Sequence, residues 1–174
     1  DLFILWEKLL EKNLATANIG LLTDMICCPG LDFCALANAG SIPIAKQIND
    51  KFNDIDYLHD IGDIKIKMSG CMNACGHHHV GHIGILGVRK KDEEFYQLTV
   101  GGSSESDACL GERLGPSIAK EDVADVIGKL LDVYVEQRQE EERFLDTFRR
   151  VGITPFKDRV YPKKPVKEKA HASN

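Results

Sequence analysis

Nowhere do the 174 residues approach the run of about 18 consecutive apolar residues that a membrane helix requires. No basic segment precedes an apolar stretch at the amino terminus, so a secretory signal is missing as well. A soluble, cytoplasmic protein with no membrane partner is the expectation. Basic charge is also in short supply: 22 Lys and Arg against 27 Asp and Glu leave a formal charge of −5. That is the wrong sign for the positive footprint of a nucleic-acid binder. No internal repeat is visible. What is present is the composition of a packed domain, because 43% hydrophobic and 28% charged residues rule out wholesale disorder and suggest one domain or slightly more.

The chain opens at Asp1 directly on a helical pattern (Leu2, Trp6, Leu9, Leu10), and this reads as the C-terminal piece of a longer polypeptide. A site built from two halves would then be half present. The periodicity predicts a helix from residue 2 to about 14, a short strand over 20–26 and a turn at Pro29-Gly30. Residues 33–52 read as two short helices in tandem, interrupted by Gly40 and Pro43, and 53–62 as a polar loop. Alternation over 63–68 predicts a half-buried strand, and 82–88 with 95–100 form the arms of a hairpin joined by the charged turn 89–93. A Gly- and Ser-rich loop over 101–118 is long enough to be functional. Amphipathic helices follow from Glu121 to about Arg138 and from Glu141 to Arg150, the second stopped by Gly152. The last residues, with four Lys and one Glu over 163–174, predict a disordered charged tail.

Six cysteines stand at 27, 28, 34, 71, 75 and 109. In a reducing compartment such spacing points to metal binding or catalysis before disulfides. Five residues lie between Cys28 and Cys34, three between Cys71 and Cys75, and 36 between the pairs. Two strands each ending in a loop with a Cys pair can bring four thiolates together. Zinc knuckles favour two to four intervening residues, whereas a cubane presents its irons at separate corners and accommodates a wider loop. An iron-sulfur cluster is thus the first reading, a four-Cys zinc interaction module the second, and inert buried thiols the third. Gly30, Gly70 and Gly76 would let backbone N–H groups approach the sulfurs. Cys27 reads as a small core residue, and Cys109 has no paired partner. His77, His78, His79 and His82 are possible ligands, but consecutive histidines on extended backbone face opposite ways, and packing or a surface role is the simpler reading.

Thr23-x4-Cys28-x5-Cys34 followed by Ser69-Gly70-Cys71-x-Asn73-x-Cys75-Gly76 resembles the signature of the sulfite and nitrite reductases that contain sirohaem and a 4Fe-4S cluster. The resemblance runs from about Ala15 to Tyr161, and the flanks look most like haemoprotein (beta) subunits of bacterial assimilatory sulfite reductases. It implies an α+β fold with an antiparallel or mixed sheet and flanking helices, corresponding to the C-terminal half of such an enzyme. Residues 1–19 would end a preceding ferredoxin-like region, 20–161 would form the cluster and sirohaem domain, and 162–174 would be the tail. Cys28, Cys34, Cys71 and Cys75 would ligate the cluster, with Cys75 also bridging to the sirohaem iron. Asn73, Arg113, Lys65, Lys67 and the amides of Gly101, Gly102 and Ser103 are candidates toward cofactor carboxylates, and a histidine of the 77–82 group is a candidate proton donor. The implied activity is six-electron reduction of sulfite to sulfide, or of nitrite to ammonia. Flavin and nicotinamide motifs are missing, so electrons would come from a flavoprotein or a ferredoxin. Substrate-gripping basic residues would lie in the N-terminal half, and this piece alone would be inactive. The competing readings from other classes are the zinc module and a ferredoxin-like electron carrier.

Overall fold

The structure, a computed structural model, describes residues 1–162. The predicted tail over 163–174 lies outside the described residues. A mixed sheet forms the centre: β1 (Ile26–Cys27), β2 (Ile66–Ser69) and β3 (Ile83–Lys90) run parallel, and β4 (Glu93–Val100) returns antiparallel to β3. Two short strands, β5 (Glu112–Arg113) and β6 (Ile118–Ala119), both pair with β4. Around the sheet lie α1 (Leu2–Leu10), α2 (Ile42–Lys51), α3 (Ile55–Ile61), α4 (Val123–Gln137), α5 (Phe144–Val151) and α6 (Thr154–Val160). The fold is therefore α+β with a mixed sheet, as the resemblance implied.

Strand register builds the core. Ile66 pairs with Ile83 and Ile83 with Val100, while Met68 pairs with Ile85 and Ile85 with Leu98. Because side chains alternate between faces, these rows put six buried apolar residues on one side of the sheet. They join one hydrophobic cluster with Ile127, Leu130, Leu131 and Tyr134 of α4. Helix α4 also contacts α2, α5 and α6 and acts as the hub of the helical layer. Its Tyr134 hydroxyl lies 3.1 Å from the Ile61 carbonyl and 3.0 Å from that of Glu142, tying the ends of α3 and the α4–α5 connection together. Phe144 at the start of α5 packs edge-on against Tyr134 and Phe156 and stacks on His82 at 6.4 Å. By contrast α1 contributes no buried residue, and the core starts at Leu21 and Leu22.

Several local expectations need correction. The strand expected over 20–26 is only Ile26–Cys27, because Leu21 and Leu22 enter the core from a turn. One helix replaces the two expected over 33–52: Pro43 sits in the first turn of α2, where its missing N–H has no helical partner to lose, so it starts the helix and does not break it. The polar segment 53–62 contains α3, whose N-terminus is capped by the Asp54 carboxylate accepting from Asp56 N and Tyr57 N at 3.0 and 3.2 Å. The hairpin ladder runs on to Lys90 and Glu93, leaving Lys91 and Asp92 as a two-residue turn with positive φ. Helix α6 was not anticipated. The helices expected over 121–138 and 141–150 are present as α4 and α5, and Gly152 at φ 72° ends α5.

Candidate metallocluster site

Parallel pairing of β1 and β2 aligns Cys27 with Met68, so both strands end at the same edge and both Cys-bearing loops leave from there. The Cys28 amide donates to the Met68 carbonyl at 3.1 Å, and the Gly70 amide donates to the Cys28 sulfur at 3.0 Å. The first loop is pinned to the second, since the Asn38 and Ala39 amides both donate to the Gly70 carbonyl at 2.8 and 3.1 Å. Side chains could not replace the glycine here: a Cβ at Gly70 would stand 2.7 Å from the Ala39 carbonyl oxygen and 2.9 Å from the Gly30 Cα.

As a result Cys28, Cys34, Cys71 and Cys75 line one cavity of about 100 Å³, together with Gly70 and Asn73. Cys71 is buried, Cys28 and Cys34 are half-buried, and Cys75 is exposed. Ala74 and His77, both with left-handed backbone at φ 56° and 52°, shape the turn that carries Cys75 outward. Among the described residues no three His, Cys, Asp or Glu side chains close on a point where a single ion would sit. The five residues between Cys28 and Cys34 exceed the two to four of a zinc knuckle, which suits a multi-iron cluster better than tetrahedral zinc. Soft thiolate donors, a glycine amide aimed at a sulfur and apolar walls from Leu36 and Ala37 fit such a group.

Two supports were not legible in the sequence. Ser41 is fully buried, and its hydroxyl lies 3.6 Å from the Cys28 sulfur. Glu94 of β4 accepts from the Gly40 amide at 2.7 Å, and the one Tyr96 hydroxyl proton is shared between the Gly40 carbonyl at 2.7 Å and the Glu94 carboxylate at 3.1 Å. The Gly40 amide first, then Tyr96 and the Lys120 and Arg89 cations, hold the Glu94 carboxyl below its usual range. These contacts span 54 and 56 residues, and no local motif announces them.

The other candidates lie elsewhere. Gly76 gives its amide to the Ser69 hydroxyl at 3.1 Å and not to a sulfur. Cys27 is half-buried, and burial, with Cys28 and Asp32 nearby, pushes its thiol up to about 11, in keeping with a protonated packing role. The amides of Gly101 and Ser103 are spent within the chain on the His82 and Cys109 carbonyls, and a Cβ at Gly101 would collide with the Phe148 ring. Arg113 is exposed on β5, its Nε–H donating to the Gly115 carbonyl. Lys67 is buried and donates to the Ser104 hydroxyl at 2.8 Å, and Lys65 pairs with Glu105. Lys65, Ser103 and His82 line a separate 330 Å³ cavity with Asp63, Asp107 and Arg149. His82 is a buried structural residue: its Nδ1 accepts from the Lys65 amide at 3.1 Å, and burial lowers its pKa. Cys109 donates to the Gly101 carbonyl at 3.4 Å.

A mixed sheet whose parallel strands end in two loops that line one cavity with four thiols is an arrangement suited to a metal centre. The family model described as "Nitrite and sulphite reductase 4Fe-4S domain" matches residues 21–169, and the chain belongs to that family. Over 130 residues, 74% of the chain, it is 30% identical to the sulfite reductase [NADPH] hemoprotein beta-component of Bacillus pumilus, of which the match covers 22%. It is 32% identical over 161 residues, 87% of the chain, to the sulfite reductase [NADPH] subunit beta of Saccharomyces cerevisiae, covering 10% of that protein. A solved structure of the Mycobacterium tuberculosis NirA protein shares the fold, with a TM-score of 0.64 and 24% identity over 76% of this chain and 26% of that one. The chain thus spans between a tenth and about a quarter of the length of these proteins. No helix among the described residues is long and apolar enough to cross a membrane.

Proposed function

We propose that this chain is the cluster-holding part of a sirohaem-containing sulfite reductase, with Cys28, Cys34, Cys71 and Cys75 as the ligands of a 4Fe-4S cluster. The observation that carries this is the gathering of all four thiols, from two loops, around one cavity. Cys28 and Cys71 anchor the inner side. The exposure of Cys75, where the other three are buried or half-buried, supports the role we assign it, a ligand that would also hold the sirohaem iron. When bound, the paired cofactors supply electrons singly to a substrate that needs six to pass from sulfite to sulfide. The chain's own residues bind and orient: the Gly70 amide donates to a ligand sulfur, and Asn73 stands in the cavity wall between two ligands. Buried Ala37 adds an apolar wall to the cavity.

The absence of any buried residue on α1 supports residues 1–19 as part of a preceding region, with the cluster domain over 20–161. On this reading a further half of the enzyme supplies the basic groups that grip the anion, and a flavoprotein or ferredoxin supplies electrons in the cytoplasm. The test is turnover by the natural protein with reduced methyl viologen, measuring sulfide from sulfite and ammonia from nitrite. Faster sulfide production supports the reading. Preference for nitrite moves the protein to the other branch of its family, and no turnover of either anion contradicts the assignment.

A further inference from the structure

Ser41 occupies the position before the first turn of α2, where a serine ordinarily turns its oxygen back to accept from the helix's own free amides. Here the side chain makes no such cap. Its backbone sits at φ −113° and ψ −42°, and the hydroxyl points away from the helix to the Cys28 sulfur at 3.6 Å. The residue is 0% exposed, so water cannot replace a partner. Space for the hydroxyl exists because two glycines flank it: a Cβ at Gly30 would stand 2.7 Å from the Ser41 oxygen, and one at Gly70 3.2 Å. A buried hydroxyl without a partner is destabilising, and forgoing the cap gives up a further stabilising contact. The arrangement is stable only if the sulfur is a good acceptor. A thiolate is one; it has no proton, so the hydroxyl must be the donor.

We propose that Ser41 is a positioning residue for the cluster, its hydroxyl donating to the Cys28 sulfur alongside the Gly70 amide and raising the cluster's reduction potential. The proposal rests on Cys28 being a cluster ligand. Hydrogen bonds to cluster sulfurs favour the reduced, more negative state. With two donors on one sulfur, an electron added to the cluster finds charge compensation already in place, with no reorganisation of the loop. The amide is fixed by the backbone and cannot be removed by substitution, whereas the hydroxyl can. Ser41 is thereby the side-chain control over the potential at this ligand.

The test is a redox titration followed by electron paramagnetic resonance on the natural protein, wild type against Ser41→Ala, with iron and acid-labile sulfide counted in both. The variant keeps its iron and titrates at a more negative potential. At the wild-type midpoint its ratio of reduced to oxidised cluster falls roughly fivefold, the size of one ordinary hydrogen bond. An unchanged midpoint in a variant with full iron overturns the proposal while leaving the ligand assignment intact. Loss of iron from the variant overturns it too, because the hydroxyl would then serve assembly and not potential. A wild-type protein without a cluster defeats the reading on which the proposal stands.

Discussion

The Gly70 amide and the Cys28 sulfur lie 3.0 Å apart although 42 residues separate them in the chain. This contact joins the two cysteine loops at the point where β1 and β2 end, and the Gly70 carbonyl returns two further bonds to the first loop. Gly70→Ala places a methyl against the Ala39 carbonyl and the Gly30 Cα, both backbone atoms that cannot swing aside. The expected outcome is a folded protein that loses most of its iron and whose loops 28–40 and 70–76 become sensitive to protease. Iron content with limited proteolysis checks this; full iron in the variant would show that the junction tolerates spreading.

Glu94 reaches across from β4 to hold Gly40, the residue that closes the first loop. Glu94→Ala leaves the Gly40 amide without its charged acceptor and the Tyr96 hydroxyl with one partner fewer. A hydrogen bond to a charged group contributes about 1.5–3 kcal/mol. Urea denaturation should show a loss in that range, and hydrogen exchange should quicken at 38–41 while the hairpin amides stay protected.

Parts of this arrangement were legible in the sequence. The two cysteine pairs, the hairpin and the α4 stripe declare themselves because their signals are local: spacing, alternation and a 3.6-residue period. Helix α3 stayed hidden because its seven residues carry three charged or titratable side chains on the solvent side, although Asp54 before it and Gly62 after it were the capping signals. Ser41 looks like an ordinary helix cap in sequence, and only the parallel strand pairing shows that it meets a sulfur. The Gly101-Gly102 pair suggested a cofactor cradle, yet the reason for Gly101 is the Phe148 ring packed against it.

Phe144 is the aromatic hinge between the helical layer and the sheet, fully buried and packed with Tyr134, Phe156 and His82. Phe144→Ala opens a cavity between elements that cannot all collapse, at a cost of about 3–5 kcal/mol. Chemical denaturation would measure it, and a loss under 1 kcal/mol would contradict this role for the ring.

Acid should weaken the fold near neutrality. Burial lowers the His82 pKa from the ordinary 6.5, against the opposing fields of Asp63, Asp107 and Glu105, with Lys65 adding to the lowering. A base whose folded pKa is depressed binds its proton more readily when unfolded, so its contribution is present above pH 6.5 and is lost as pH falls below that value. Protonation also removes the acceptor that the Lys65 amide uses. His78, lowered by burial and by His79, acts in the same direction. Stability measured in urea from pH 7.5 to 5.5 should decline, and His82→Asn, which keeps an acceptor, should flatten the slope; an unchanged slope would remove His82 from the account.

The central claim is that four particular sulfurs hold one cluster. Iron and acid-labile sulfide should be counted in the natural protein purified without oxygen, alongside single Ser variants at Cys28, Cys34, Cys71, Cys75, Cys27 and Cys109. The account expects about four cluster irons and four sulfides per chain in the wild type, severe loss in each of the first four variants, and wild-type content in the Cys27 and Cys109 variants. One zinc and no sulfide, or equal sensitivity at Cys27 or Cys109, would contradict it.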